Sequence, residues 1–211
     1  MTIAVIALVV VVVIAGTLLL LRILHRKRGE GSESITQSGA GVFGEILSRI
    51  ANKHGGKVYN DVRLRLGKNN YARLDHVYVC KGGVFVCETI VRANAVVSGS
   101  PKDEFWMFKG GQAMKNPRMA SPLIHVLGNA KHLAKALELE PRQLSPYVIL
   151  FHAKKIEVDD RRVLDPLAAA KLIDEEAGKD TFSEEEVSRF IETCDRLLRP
   201  QAEQGLPARL R

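Results

Sequence analysis

Near its start the chain has an apolar run from Ile3 to Leu21 that contains no charged residue and is broken only by Gly16 and Thr17. At about 1.5 Å per residue, a helix of this length spans roughly the 30 Å hydrocarbon core of a bilayer. A cleaved signal peptide is the alternative. Against it, no Lys or Arg precedes the run and no small-residue cleavage site follows it. We therefore predict one N-terminal transmembrane helix that contacts the lipid bilayer through residues 3–21.

Basic residues directly after this run predict its orientation. Arg22, His25 and the segment 26–28 follow it, and an excess of Lys and Arg is typical of the cytoplasmic side. The prediction is a single-pass protein of the inner (cytoplasmic) membrane, with its domain facing the cytoplasm. The anchor and its basic flank take residues 1–28, and a Gly/Ser-rich linker takes residues 29–40.

Cysteine usage agrees with a cytoplasmic domain. The three cysteines are odd in number and lack metal-type spacing, which is typical of small buried residues in a reducing compartment: Cys80, Cys87 and Cys194.

Beyond the linker, the hydrophobic spacing predicts a helix and then strands. The helix ends at Gly55 and Gly56, and residues 58–66 alternate as a strand does. Residues 74–90 read as two short strands joined by a glycine turn, and residues 105–110 as a further short strand. The apolar side of the helix comprises Val42, Ile46, Leu47, Ile50 and Ala51.

The second half of the chain predicts mainly helices. A long apolar stripe predicts a helix over residues 117–139, and residues 147–151 form a continuous apolar run typical of a buried strand. Near the end, Ser183 and Glu186 form a capping box before another helix. The order of elements predicts an α/β fold with a mixed sheet covered by helices on both faces.

Charge is distributed unevenly along the chain, whose formal net charge is +7. Residues 41–155 contain 18 basic and 8 acidic residues, whereas residues 156–211 contain 9 basic and 14 acidic residues. We predict a domain over the first range and an acidic helical extension over the second. The basic balance of the domain is compatible with a polyanionic partner.

Two carboxylates interrupt the apolar strands of "LDHVYVCKGGVFVCETI", residues 74–90. Such residues cost free energy unless a metal, a cation or hydrogen-bond donors compensate them. With the turn centred between Gly82 and Gly83, Asp75 lies opposite Ile90 and Glu88 lies opposite Val77. Side-chain alternation then puts these four residues on one face.

Arg73 and Arg92 lie opposite each other one step further out in this register, where they could contact a nucleic-acid phosphate. Two readings remain open for the acids. Asp75 and Glu88 could hold Mg²⁺, which proteins bind with one or two carboxylates plus water and substrate phosphate. Alternatively, they form cross-strand ion pairs with structural roles only.

Several segments together resemble one family, the nuclease-related domain (NERD), over roughly residues 39–155. They are "GEILSRI", "YNDVRL", "RLDHVYVCKGGVFVCET", Trp106 and the pair 116–117, "NP". The resemblance implies a bacterial membrane-anchored protein with a restriction-endonuclease-like fold of the PD-(D/E)XK phosphodiesterase type. It implies acidic catalytic positions at Glu45, Asp75 and Glu88, with Asp75 and Glu88 as metal ligands. Mg²⁺ is the implied cofactor, with Mn²⁺ as an alternative, and DNA or RNA is the implied substrate.

Two departures from the family pattern change the expected activity. The lysine of the family's Glu-Thr-Lys element is replaced by Ile90, and the glutamine after the Asn-Pro pair is missing near Ala120. Isoleucine cannot stabilise charge on a phosphate. Arg92 could supply charge from the same face two residues further on, but we expect loss of activity rather than this compensation. We expect an ancestral Mg²⁺-dependent nuclease whose hydrolysis is weak or lost. The alternative is a non-catalytic module that binds nucleic acid or protein at the membrane.

Other residues that could carry chemistry are expected to be structural. His76 is expected to form one hydrogen bond inside the domain. His125 and His132 are expected at the surface or rim of the long helix, and Trp106 and Phe108 in the core.

Overall fold

Helices cover both faces of a mixed sheet in the computed structural model, which describes residues 39–68, 70–111 and 117–200. The first helix, α1, occupies residues 39–54 of this range and therefore includes the end of the predicted linker. The strands are β1 Lys57–Arg65, β2 Tyr71–Cys80, β3 Gly83–Val91, β4 Val96–Ser98, β5 Phe105–Lys109, β6 Arg118–Ala120, β7 Leu144–Phe151, β8 Lys155–Glu157, β9 Val163–Leu164 and β10 Leu198–Pro200. The further helices are α2 Pro122–Leu137, α3 Pro166–Ala177 and α4 Glu184–Leu197, with a 3₁₀ turn at Pro141–Gln143.

The described strands form two sheets. The larger has the order β10-β1-β2-β3-β7-β9, and the smaller has the order β6-β5-β4-β8. β1, β2 and β3 pair antiparallel, whereas β7 pairs parallel to β3. The predicted mixed α/β architecture is confirmed.

Each face of the larger sheet packs against its own pair of helices. One hydrophobic cluster joins the sheet to Phe43 and Leu47 of α1 and to Ile173 of α3. The other joins it to Leu133 of α2, to Phe190 of α4 and to the smaller sheet. β3 is therefore buried almost throughout, as its continuous apolar sequence requires.

The helix predicted over residues 117–139 begins later than expected. Residues 118–120 pair with β5 as strand β6. The hydroxyl of Ser121 then accepts a hydrogen bond from Ile124 N at 3.3 Å, and Pro122 stands in the first turn. A serine cap followed by proline is a strong start signal, so the second proline of this stretch begins the helix.

Several local predictions are confirmed and one is wrong. The Ser183–Glu186 capping box forms. All three cysteines are buried and free, and Trp106 and Phe108 lie in the core. Val42, however, is exposed on α1, and Phe43 is buried in its place. The apolar side of this helix is therefore rotated from the predicted one.

Within the described ranges, no helix is both long and apolar enough to cross a bilayer. The predicted membrane anchor, residues 3–21, lies outside those ranges and stays a prediction.

Candidate functional site

The register of the β2–β3 hairpin differs by two residues from the predicted one. Cys80 pairs with Gly83, so that Lys81 and Gly82 form the turn. Val77 consequently lies opposite Val86, and not opposite Glu88. The predicted pairing of Asp75 with Ile90 fails for the same reason, as does that of Arg73 with Arg92.

Pairing between β2 and β3 ends at His76 and Cys87. Beyond this pair, β2 continues along β1 as far as Tyr71. β3 meanwhile continues along β7 as far as Val91. The two central strands therefore separate into a fork, which we define as the gap between β2 and β3 beyond the His76–Cys87 pair.

Strands β1 and β2 change face at the level of the fork. Leu74 and Val77 of β2 both belong to the larger core cluster although they are three residues apart, whereas strict alternation would separate them. On β1, Tyr59 and Val62 are likewise three residues apart and both belong to this cluster. Asp61 lies between them with a φ of 48°. The alternation assumed for residues 73–79 therefore breaks at Asp75.

The carboxylate of Asp75 bridges the fork. Its Oδ2 accepts a hydrogen bond from Thr89 N at 2.9 Å and another from Thr89 Oγ1 at 3.0 Å. A side chain thus satisfies a β3 backbone donor at the level where β2 no longer pairs with that strand. Asp75 Oδ1 also lies 3.4 Å from Arg73 Nε.

Helix α2 closes the fork with two side chains one turn apart. His125 Nδ1 lies 2.7 Å from Glu88 Oε2 on β3. Asn129, which is buried, donates from Nδ2 to the carbonyl oxygen of Arg73 on β2 at 2.8 Å. One face of α2 therefore contacts both strands where their backbones no longer pair.

The pKa values of Glu88 and His125 depend on burial and on the hydrogen bond between these two side chains. Burial raises the pKa of the Glu88 carboxyl, against the opposing effect of its hydrogen bond to His125. The same hydrogen bond raises the pKa of the His125 imidazole, and the Asp75 carboxylate acts in that direction too. The partly exposed His125 imidazole, which can take up a proton, therefore lies next to the largely buried Glu88 carboxyl group.

The two arginines predicted to share a face are placed differently. Arg73 is exposed and lies 3.4 Å from both Asp61 Oδ1 and Asp75 Oδ1, at the mouth of the fork. The Arg92 guanidinium instead lies 4.9 Å from the ring centroid of Phe108 and donates to its neighbour's carbonyl oxygen. Arg92 is therefore directed at the smaller sheet.

Glu45, the third acid of the expected set, lies exposed on α1. Among the described residues, its side chain forms no ion pair or hydrogen bond with Asp75 or Glu88. Its neighbour Gly44 packs closely on the Asn60 amide, where an added Cβ would lie 3.0 Å from Oδ1. The structure thus brings Asp75 and Glu88 to one fork without joining Glu45 to them.

His76 has the structural role expected for it. Its Nδ1 lies 2.7 Å from Asn60 Oδ1, and its ring packs on Phe43. Burial lowers the pKa of His76 to about 4. Its Nε2 is buried without a hydrogen-bond partner in the described part of the chain.

Ile90, where the family resemblance implies a lysine, is 5% exposed and belongs to the larger core cluster. It pairs with Leu150 of β7. Its side chain adds an apolar wall beside Glu88 and carries no charge.

The residues of the fork fit a divalent cation only partly. Within the described ranges, no three His, Cys, Asp or Glu side chains group as a metal site. Asp75 and Glu88 could supply two carboxylate oxygens, a donor set that suits Mg²⁺ once water and a substrate phosphate complete it. Both carboxylates already accept hydrogen bonds, from Thr89 and from His125.

Sequence reasoning assigned no role to two residues of the fork, Thr89 and Asn129. Thr89 was visible only as a neighbour of Glu88, and Asn129 only as a polar residue in an apolar stripe. The one available signal was the spacing of His125 and Asn129, which puts both side chains on one side of a helix.

The sheet and its covering helices form a mixed α/β domain that is consistent with a nuclease-like fold. Residues 39–152 match the profile of the nuclease-related domain, NERD. This match covers more than half of the chain, and the chain belongs to that family. It also confirms the resemblance inferred over residues 39–155. No curated protein matches the chain significantly, and no solved structure does.

Proposed function

We propose that this protein is a membrane-anchored, cytoplasm-facing domain of nuclease ancestry that binds nucleic acid and whose Mg²⁺-dependent phosphodiester hydrolysis is weak or lost. Membership of the nuclease-related family supports the ancestry. The basic balance of residues 41–155 supports an anionic partner.

The observation that carries the proposal is the state of the two acids. Asp75 is held by Thr89 and lies beside Arg73, and Glu88 is held by His125. A metal ion would compete with these donors. The position two residues after Glu88 is the buried Ile90, so no cation there faces a phosphate.

In a catalytically active relative, a bound divalent ion would activate water and neutralise charge on a phosphoryl oxygen. In this chain, Asp75 and Glu88 are the residues that would hold it. Arg73 at the mouth of the fork and His125 on α2 would orient the phosphodiester through their N–H donors.

The test uses the full-length chain purified in detergent. Plasmid, single-stranded DNA and RNA are incubated with it in Mg²⁺, Mn²⁺ or EDTA, and binding is measured over a range of salt concentrations. We expect binding that weakens steeply with salt and little or no cleavage. The Asp75→Asn/Glu88→Gln double variant is the control for any residual cleavage.

Rapid metal-dependent cleavage that the double variant lacks would overturn the loss of hydrolysis. If the chain binds none of these nucleic acids at low salt, the proposal of a nucleic-acid partner is overturned. The non-catalytic protein-binding module would then be the better description.

A further inference from the structure

The smaller sheet presents an exposed surface that the fork does not use. Along β5, exposed and buried residues alternate, with Trp106 and Phe108 in the core. Phe105 and Met107 point the other way and are 42% and 37% exposed. Large apolar side chains exposed next to each other in one sheet suggest a binding surface.

Cations surround these two apolar side chains. Arg118, opposite Met107 on β6, has its guanidinium carbon 3.8 Å from the ring centroid of Phe105. Lys109 follows on β5, and Lys155 lies on β8 beyond Val96. We call this surface the outer face; it comprises Phe105, Met107, Lys109, Arg118 and Lys155.

The outer face carries a net positive charge. Glu157 is the acid that β8 adds to it, and its Oε1 lies 2.7 Å from Lys155 Nζ. Lys109 and Arg118 add two more positively charged side chains to this face. A partner with negative charge and flat apolar groups complements such a surface better than a neutral apolar one does.

The outer face and the fork are linked by the chain itself. β6 leads through Ser121 directly into α2, whose first turns hold His125 against Glu88. On the buried side of the smaller sheet, Arg92 at the end of β3 lies over the ring of Phe108. The outer face and the fork are therefore connected through β6 and the first turns of α2.

We propose that the outer face binds single-stranded nucleic acid by stacking bases on the Phe105–Arg118 pair while Lys109 and Lys155 contact phosphates. The proposal rests on the proposed function of nucleic-acid binding and adds strandedness to it. Bases in a duplex are stacked on each other and leave no face open to an aromatic ring, whereas those of a single strand stack readily on aromatic and guanidinium planes.

The experiment measures binding of labelled oligothymidylate, and of a duplex of equal length, to the full-length chain in detergent. Phe105→Leu keeps an apolar side chain but removes the ring, and Phe105→Tyr keeps the ring. We expect Phe105→Leu to weaken single-strand binding roughly tenfold and Phe105→Tyr to preserve it. Lys109→Ala should lower the salt dependence of binding, by about 0.7 in the log–log slope.

Two exposed positions on α3 supply matched controls. Leu167→Ala removes an exposed apolar side chain and Lys171→Ala removes an exposed charge. Neither should change binding. Because Phe105 is itself exposed, its variants should keep the melting temperature of the wild type.

Each other result overturns the proposal in a different way. Unchanged single-strand binding in Phe105→Leu and Lys109→Ala would exclude the outer face and leave the proposed function intact. If the wild type binds the duplex more tightly than the single strand, the proposed preference for single-stranded nucleic acid is excluded. No binding of either probe at low salt would overturn the inference, and a surface for an apolar protein partner would then explain Phe105 and Met107. Only a matching absence of RNA binding would also overturn the proposed function.

Discussion

Asp75 accepts two hydrogen bonds from Thr89, one from the backbone and one from the side chain, at the point where their strands cease to pair. The same carboxylate lies beside Arg73. Its position inside an apolar strand therefore has a structural explanation that is independent of any metal. This relationship also explains how the central sheet can open without leaving the Thr89 amide unsatisfied.

Thr89→Val tests the contribution of this contact to stability. The substitution keeps the side-chain shape and removes the hydroxyl that donates to Asp75. Because the acceptor is a charged group, we expect the free energy of unfolding to fall by about 1–3 kcal/mol. Denaturant unfolding, followed by the fluorescence of the single tryptophan, measures it. Thr193→Val on α4 makes the same chemical change away from the fork and should cost less; an equal cost would remove the special role of Thr89.

The dependence of stability on pH should report the buried His76. Its pKa in the folded protein is about 4, below the usual value of about 6.5 for an unfolded chain. The unfolded state therefore binds the extra proton as pH falls through this window, and stability falls with it. The loss between pH 7 and pH 4 should be on the order of 3 kcal/mol.

A non-titrating variant isolates this effect. His76→Gln can still donate to Asn60 and should show a flatter stability profile between these pH values, measured in EDTA. The exposed His132→Gln variant should keep the wild-type profile. Parallel profiles for wild type and His76→Gln would mean that His76 does not titrate in this way.

Metal binding at the two carboxylates should be weak but measurable. At tenfold excess over a millimolar Kd, Mg²⁺ or Mn²⁺ should stabilise the folded chain by about 1.4 kcal/mol, seen as a rise in melting temperature. Asp75→Asn combined with Glu88→Gln should abolish the rise. If the wild type shows none at that concentration, the acids act only through Thr89, Arg73 and His125.

The predicted anchor can be tested without any activity. Because residues 3–21 are uncharged and apolar, the full-length chain should stay with membranes after a salt wash and need detergent for extraction. Protease added outside intact cells should leave the domain uncut. Recovery of the intact chain in the soluble fraction would exclude the anchor.

Local patterns in the sequence predicted the long elements, whereas contacts between distant residues decided the site. Alternation located β2 and β3, and the serine cap located α4. The register, however, depends on which two residues make the turn, and a shift from Gly82–Gly83 to Lys81–Gly82 moved every cross-strand partner.

The fork itself could not be predicted from either strand alone. It forms because Asn129 and His125 of α2 replace strand-to-strand contacts, and no local periodicity encodes such a replacement. The short strands β4, β6, β8, β9 and β10 were missed because two or three residues are too few to show alternation.

Ile90→Lys tests whether the missing cation is what limits hydrolysis. Ile90 follows Glu88 by two residues on β3, so both side chains lie on the same face of that strand. A lysine there could extend along the apolar wall and bring its ammonium group towards Glu88 and a bound phosphate. Since one preorganised charge stabiliser is typically worth about 10²–10³ in rate, we expect Mg²⁺-dependent nicking of plasmid or single-stranded DNA above the wild-type level.

The same substitution should cost stability, because Ile90 is buried and pairs with Leu150 in the core. A buried charge that lacks a partner costs about 3–5 kcal/mol, and pairing with the Glu88 carboxylate would reduce this. Ile90→Met changes the side-chain shape without adding charge and should leave cleavage unchanged. A folded Ile90→Lys chain that cleaves no better than Ile90→Met would show that the site has lost more than one residue. If Ile90→Lys fails to fold while Ile90→Met folds, the position serves the core and its lysine could not reach the fork.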